Sequence, residues 1–444
     1  MFFSHLSAYI DPGTGSMLVT IVIGIAATLI YAMKGLFIKL KARLTGGRVQ
    51  DVSSTKIPYV IYSDSKRYWN VFGPICDEFE RRQIPLTYYT QSQDDPVFEQ
   101  DYKYITAEFI GEGSKGFARL NILRAGTVLS TTPGLDVYQW KRSKNVDRYI
   151  HIFHDVTEAT GYRMFGMDYY DDILLSGEFQ GDYIRKLEEL RGLPAKKLHV
   201  VGSTYLDGMK ARAEAEGTGK SASGNASAAA SAGNASAASG VSRTVLLAPS
   251  WGVSSILNRF GADILNALIA TDYDIIVRPH PQMKTSDPEL LAELMRYFPD
   301  GEHFSWNFDN DNFDVLRRSD IMITDYSGIM FDYCLIFDRP LMYADTSFDK
   351  APYDAAWIDG PVWHIDILKD LGKRLDPADF ANMKACIDEV LESDVYRAGR
   401  EKVRETVWQN EGKAAVETVD YMTEGTSGAN ADTQCAGESK DDDR

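Results

Sequence analysis

The 444-residue chain carries 64 acidic against 47 basic side chains, a formal net charge of −17, so it lacks the clustered Lys and Arg that nucleic-acid phosphates reward, and no nucleic-acid partner is expected. It is too long for one ordinary domain, and its 44% hydrophobic content is enough for large cores, so two globular domains with appendages are expected. Cys76, Cys334, Cys386 and Cys435 lie far apart; without a C-x-x-C pair they suit neither a zinc cage nor a disulfide framework and point to a reducing compartment.

In chain order, the first element is an uncharged run from Met17 to Met33, continued by GLFI beyond Lys34. Roughly 20 apolar residues cross a bilayer. No basic segment precedes the run and no small-residue cleavage site follows it, so an uncleaved anchor is expected rather than a signal peptide. Lys34, Lys39, Lys41, Arg43 and Arg48 follow the run, whereas the leading segment holds Asp11 and no Lys or Arg. The positive-inside rule then predicts a single-pass protein of the cell membrane, anchored within residues 1–45, with the rest of the chain cytoplasmic.

From 46 to 212, short β-rich apolar runs alternate with amphipathic helical patterns, the signature of a parallel sheet with crossover helices. PYVIYSD, PLTYYT, YITAEFI, GTVLSTT, YIHIFHD, DILLSG and KLHVVGS read as strands of a first Rossmann-like domain. Residues 213–243, rich in Ala, Ser and Gly, read as a linker or insertion. A second Rossmann-like domain spans 244–422, with strands at TVLLAPSWG, YDIIVRPHP, IMITDYSG and PLMYAD and helices over 376–391 and 394–421, the last packing back across the cleft. The acidic stretch 423–444 is expected to be a disordered tail. The fold class expected is α/β, two Rossmann-like domains behind an N-terminal transmembrane helix.

The second domain carries the most informative chemistry. Arg278, Pro279 and His280 end a predicted strand, where doubly wound folds bind ligands. Arg278 can grip phosphate oxygens bidentately, and His280, titratable near neutrality, can hydrogen-bond or protonate a leaving phosphate. Ser327 and Gly328 follow the strand IMIT and open a helix whose free N–H groups suit an anion. Asp332, one turn further on, is either a ribose ligand or a plain helix-surface carboxylate. Ser250, Trp251 and Gly252 form another strand-to-helix loop able to face the same pocket.

On these residues the chain resembles the CDP-glycerol glycerophosphotransferase family. APSW at 248–251, RPHPQ at 278–282 and SDIMITDYSGIMFDYCLIFDRPLMYAD at 319–345 look like that family's donor-binding half, and FHDV at 153–156 stands where the family has its H-G-T-P loop. The resemblance implies a glycosyltransferase-B fold and a metal-independent, cofactor-free transfer of glycerol phosphate from a CDP-linked polyol donor to a lipid-linked acceptor at the membrane, in teichoic-acid-type polymer synthesis. Donor contacts then fall to Arg278, Ser327, Gly328, Asp332 and Ser250, and catalysis to His154 and His280, with Asp155 or Glu158 orienting the His154 ring. His154 is followed by Asp155, Val156 and Thr157 rather than Gly-Thr-Pro, and Gly328 replaces a second Ser. Two alternatives are a UDP-sugar transferase or epimerase of the same fold and a non-catalytic nucleotide-binding scaffold.

Other motifs are weaker. Gly111, Gly113 and Gly116 match G-x-G-x-x-G, but after a third strand rather than the first, so a Gly-rich helix start is preferred to a dinucleotide site. Asp168, Asp171 and Asp172, like Asp309 and Asp311, lack metal-site spacing and read as turns or caps.

Overall fold

The computed structural model describes residues 56–216, 243–309, 311–344, 348–393 and 395–424. The expected membrane span with its basic flank, most of the Ala/Ser/Gly segment and the acidic tail lie outside the described residues. Among those residues no helix is long and apolar enough to cross a membrane. Both sheets belong to the unit that begins at Ile57.

The first sheet comprises β1 (Ile57–Ser63), β2 (Leu86–Thr90), β3 (Ile105–Phe109), β4 (Arg124–Ser130), β5 (Asn145–Ile152), β6 (Asp172–Leu175) and β7 (Lys197–Val200), in the order β3-β2-β1-β4-β5-β6-β7. All pairs are parallel. Central strands of such sheets are covered on both faces and therefore read as continuous apolar runs. In β1, Val60 and Tyr62 enter one core layer and Tyr59 and Ile61 the other, the period-2 alternation of a strand.

The second sheet comprises β8 (Thr244–Leu247), β9 (Asp274–Val277), β10 (Phe304–Trp306), β11 (Ile321–Thr324), β12 (Leu341–Ala344) and β13 (Gly372–Leu375), in the order β10-β9-β8-β11-β12-β13. It too is parallel throughout. The order reverses between β8 and β11, which opens a crevice beyond their C-terminal ends. The edge strands β10 (FSW) and β13 (GKRL) are not among the expected strands, because polar residues interrupt the apolar run that marks β8, β9, β11 and β12. At Gly372 a Cβ would lie 1.9 Å from the Leu341 carbonyl oxygen, so only glycine lets β13 come this close to β12.

The two domains share core. Helix Thr204–Glu216 presents Leu206, Met209 and Ala213 to a cluster that also holds Phe313 and Phe331. It thus runs four residues into the range expected as linker, held by the 2%-exposed Ala213. The single helix expected over 394–421 is two, Arg397–Val407 and Ala414–Thr423. Between them Asn410 and Gly412 take positive φ, a turn such residues adopt readily. Asp207 accepts hydrogen bonds from Trp408 Nε1, Gly412 N and Ala414 N at 2.8, 2.8 and 3.1 Å. The second helix returns to the first domain, as expected: Val419 and Met422 pack with Phe72, Ile75 and Phe79, and Asp420 pairs with Arg82.

Candidate functional site

Loops from both sheets converge on one cleft. From the first domain come Pro133, His154, Asp155, Thr157 and Tyr162; from the second, Ser250, Trp251, His280, Tyr326, Ser327 and Gly328, around a cavity of about 430 Å³. A second cavity of about 290 Å³ shares Asp155, His280, Ser327 and Gly328 with it and adds Arg278, Asn312 and Asp332. All seven sequence-selected residues therefore line one continuous space.

His154 follows β5 and is half-buried. Its Nδ1 lies 3.1 Å from Thr131 Oγ1 and 3.2 Å from the Tyr162 hydroxyl, and its ring packs against Tyr68 at 5.0 Å between centroids. With the proton on Nδ1 and donated to one of these hydroxyl oxygens, the Nε2 lone pair is free to take a proton from a ligand. The expected orienting carboxylates play other parts. Asp155 Oδ2 stands 3.8 Å from Nε2, and Asp155 Oδ1 holds the Thr157 N–H and hydroxyl. Glu158 is turned away to His364. Thr131 and Tyr162 escaped sequence reasoning because nothing in their spacing links them to His154.

Asp325 organises the second domain's loops. Fully buried, it accepts the Ser250 N–H at 2.8 Å and the Ile256 N–H at 3.0 Å, so it caps helix Ile256–Ile269 and fixes the loop after β8 against the end of β11. Ser250 is 4% exposed, and its hydroxyl lies beside the side chains of Asp325 and Tyr326. Ser327 and Gly328 stand at the start of helix Ile329–Phe337, whose first N–H groups lack intrahelical acceptors and favour an anion.

Two expectations are corrected. Burial, with the charges of Arg67 and Arg278, pulls the His280 pKa down to about 4, so the ring is neutral at pH 7 rather than titrating there. Its Nδ1 accepts the Gln282 N–H at 3.1 Å, which leaves Nε2–H as a donor toward the cavity. Asp332 is no surface carboxylate: 9% exposed, it accepts the Tyr205 hydroxyl and Asn312 Nδ2, both at 2.8 Å, and burial raises its pKa to about 7.

Arg278 is also 9% exposed. It bonds the Asn307 side chain and, at 2.9 Å, the Asp309 carbonyl, and burial lowers its pKa from the usual arginine value. A guanidinium has five N–H donors, so these two commitments leave three for a ligand.

The remaining motifs have structural accounts. Gly113 precedes helix Ser114–Leu120 beside the edge strand β3, and its N–H donates to Gln91 Oε1 at 2.7 Å. Asp168, Asp171 and Asp172 pair with Arg191, Arg142 and Arg148, and Asp311 with Arg212. Among the described residues no group of three or more His, Cys, Asp or Glu is arranged to hold a metal.

The sequence profile of the CDP-glycerol:poly(glycerophosphate) glycerophosphotransferase family matches residues 234–357, the stretch supplying every second-domain residue of the cleft named above. No curated protein sequence matches the chain. Among solved structures, the wall teichoic acid polymerase TagF is similar at 15% identity and TM-score 0.53, over 92% of this chain and 98% of its own. A variant of that polymerase soaked with CDPG aligns at 14% identity and TM-score 0.53, over 84% and 89%. A putative UDP-N-acetylglucosamine 2-epimerase from Listeria monocytogenes reaches 13% identity and TM-score 0.51, over 84% and 98%. These structures share the fold, a glycosyltransferase-B-like pairing of parallel α/β domains. The profile match bears out the resemblance read from the sequence and the enzyme class with it, a CDP-glycerol glycerophosphotransferase-like transferase.

Proposed function

We propose that this transferase moves glycerol phosphate, or a related polyol phosphate, from a CDP-linked donor to a hydroxyl of a membrane-linked acceptor in cell-envelope polymer synthesis. One observation carries the reading: His154 of the first domain faces the same cavity as Ser250, His280, Ser327 and Gly328 of the second. A base therefore stands opposite an anion cradle across a space able to hold a nucleotide diphosphate donor.

In this reading the acceptor O–H gives its proton to His154 Nε2 as its oxygen bonds to the phosphorus that bears the glycerol. The bond from that phosphorus to the bridging oxygen breaks, and CMP leaves with the electron pair. The negative charge growing on the leaving phosphate meets His280 Nε2–H and the N–H groups around Ser327 and Gly328, donors already aimed before reaction. Arg278 adds a buried positive charge. Asp332 is the group placed to meet the donor's hydroxyls.

The uncharged run 17–33 and the basic residues after it support an anchor with the catalytic part on the cytoplasmic face, where nucleotide donors are made. The decisive experiment incubates purified protein with CDP-glycerol, CDP-ribitol and UDP-sugars and follows released nucleotide. CMP release dependent on an acceptor is expected. UDP release alone would replace the reading with a sugar transferase or epimerase, and no release with any donor would leave a binding scaffold.

A further inference from the structure

The cavity that holds His154 and His280 is lined by a third histidine, His364 of helix Trp363–Asp366. We infer that His364 Nε2 accepts a hydrogen bond from a second hydroxyl of the acceptor and so selects which hydroxyl is left for His154; this rests on the transferase reading above.

The tautomer is the first argument. Glu158 is fully buried, and its Oε1 and Oε2 lie 2.8 and 3.0 Å from His364 Nδ1. The same carboxylate accepts the Thr160 hydroxyl and the His364 backbone N–H, both at 3.3 Å. A carboxylate can only accept, so the proton of the neutral ring is held on Nδ1 and the lone pair stands on Nε2. Both contacts to Glu158 use Nδ1, so the ring edge that His364 turns to the cavity carries Nε2.

The polarity of the cavity is the second. Around Ser327, Gly328 and His280 it presents N–H donors, which suit phosphate oxygens. His154 and His364 present ring lone pairs and Asp155 a carboxylate, groups that repel a phosphate oxygen and suit an O–H donor. Deprotonating the attacking hydroxyl takes one of these acceptors, His154. A second imidazole with a fixed lone pair then matches a hydroxyl that is bound without being deprotonated. Phe348, whose ring meets that of His364 edge-on at 5.8 Å between centroids, and Tyr353 offer apolar faces for the C–H groups between the hydroxyls. The hydroxyls of a polyol have similar reactivity, so a fixed contact to one decides which other attacks.

The test uses full-length protein, a CDP-linked donor and two soluble acceptors: octyl glycerol phosphate, which ends in a 1,2-diol, and octyl 3-hydroxypropyl phosphate, which lacks the second hydroxyl. Two substitutions separate contact with the acceptor from the tie to Glu158. In His364→Asn the amide nitrogen takes the place of Nδ1, so the Glu158 bond is kept and the Nε2 acceptor is lost. In His364→Gln the amide reaches the place of Nε2 and restores an acceptor, while the Glu158 bond is lost. Wild type should favour the diol in kcat/KM by at least about tenfold, because a site with an unpaired acceptor rejects a substrate lacking the hydroxyl. His364→Asn should bring that ratio close to one without moving the urea midpoint. His364→Gln should recover part of the ratio despite unfolding at lower urea. Equal kcat/KM of wild type on both acceptors, or a ratio unchanged in His364→Asn, overturns the assignment while leaving the transfer reaction in place. No acceptor-dependent CMP release from CDP-glycerol or CDP-ribitol overturns the transferase reading and this role with it.

Discussion

Glu158 Oε1 stands 2.8 Å from His364 Nδ1, and both residues are buried, at 0% and 5% exposure. The pair joins the loop after β5, four residues beyond His154, to helix Trp363–Asp366 of the second domain, and Glu158 Oε2 also accepts the His364 N–H at 3.3 Å. Around it Asp354 N bonds Tyr162 O at 2.9 Å, and Arg191 bridges Asp168 and Asp354. Polar contacts thus hold the two domains at a set separation beside the cleft.

His364→Ala removes the imidazole that bonds the buried Glu158 side chain, so urea unfolding should show a loss of about 1–3 kcal/mol, the cost of leaving a buried polar group short of a partner. Glu158→Gln, which keeps a hydrogen-bonding side chain of the same shape, should lose less. A cost for His364→Ala below about 1 kcal/mol, the value of an exposed pair, would show that the pair does not bind the domains together.

His154→Ala should lower turnover by roughly 10²–10⁴-fold, the usual yield of general-base catalysis. Folding and donor affinity should persist, because the ring is half-buried and the donor contacts lie in the other domain. Thr131→Val combined with Tyr162→Phe removes both hydroxyls at Nδ1 and should cut turnover with little change in KM. Near-normal turnover of His154→Ala would end the catalytic assignment.

His280, with its pKa down at about 4, should be seen by nitrogen-15 NMR as a neutral ring protonated on Nε2 at pH 7. The unfolded chain protonates this histidine near pH 6.5, earlier than the folded one. Its contribution to stability is therefore complete above about pH 6.5 and is lost as pH falls toward 4. The stability difference between wild type and His280→Asn should shrink across that interval. A ring titrating at its ordinary value would contradict the burial argument.

Asp332 has the opposite sign. Its pKa is raised to about 7, so the folded state binds this proton more tightly than the unfolded chain, whose carboxyl titrates near 4. The contribution to stability is full below pH 4 and declines as pH rises through 7. Asp332→Asn, a neutral isostere able to accept from Tyr205 and Asn312, should be more stable than wild type at pH 8 and no more stable at pH 4. Equal unfolding curves at both pH values would refute a raised pKa.

Much of this molecule was written locally. Apolar runs such as PYVIYS and IMIT mark strands covered on both faces, and the residues that follow them, Ser250, Arg278, His280 and Ser327, were legible as binding loops because a parallel α/β sheet places its ligands at C-terminal strand ends. What local pattern does not contain is which distant residues meet. Glu158 and His364 are 206 positions apart, Asp325 caps a helix that begins 69 residues before it, and Thr131 reaches His154 only because β4 and β5 are neighbours in the sheet. The burial that makes His280 neutral and gives Asp332 a pKa near 7 likewise arises only when the two domains close around them, since desolvation depends on everything packed nearby rather than on adjacent residues in the chain.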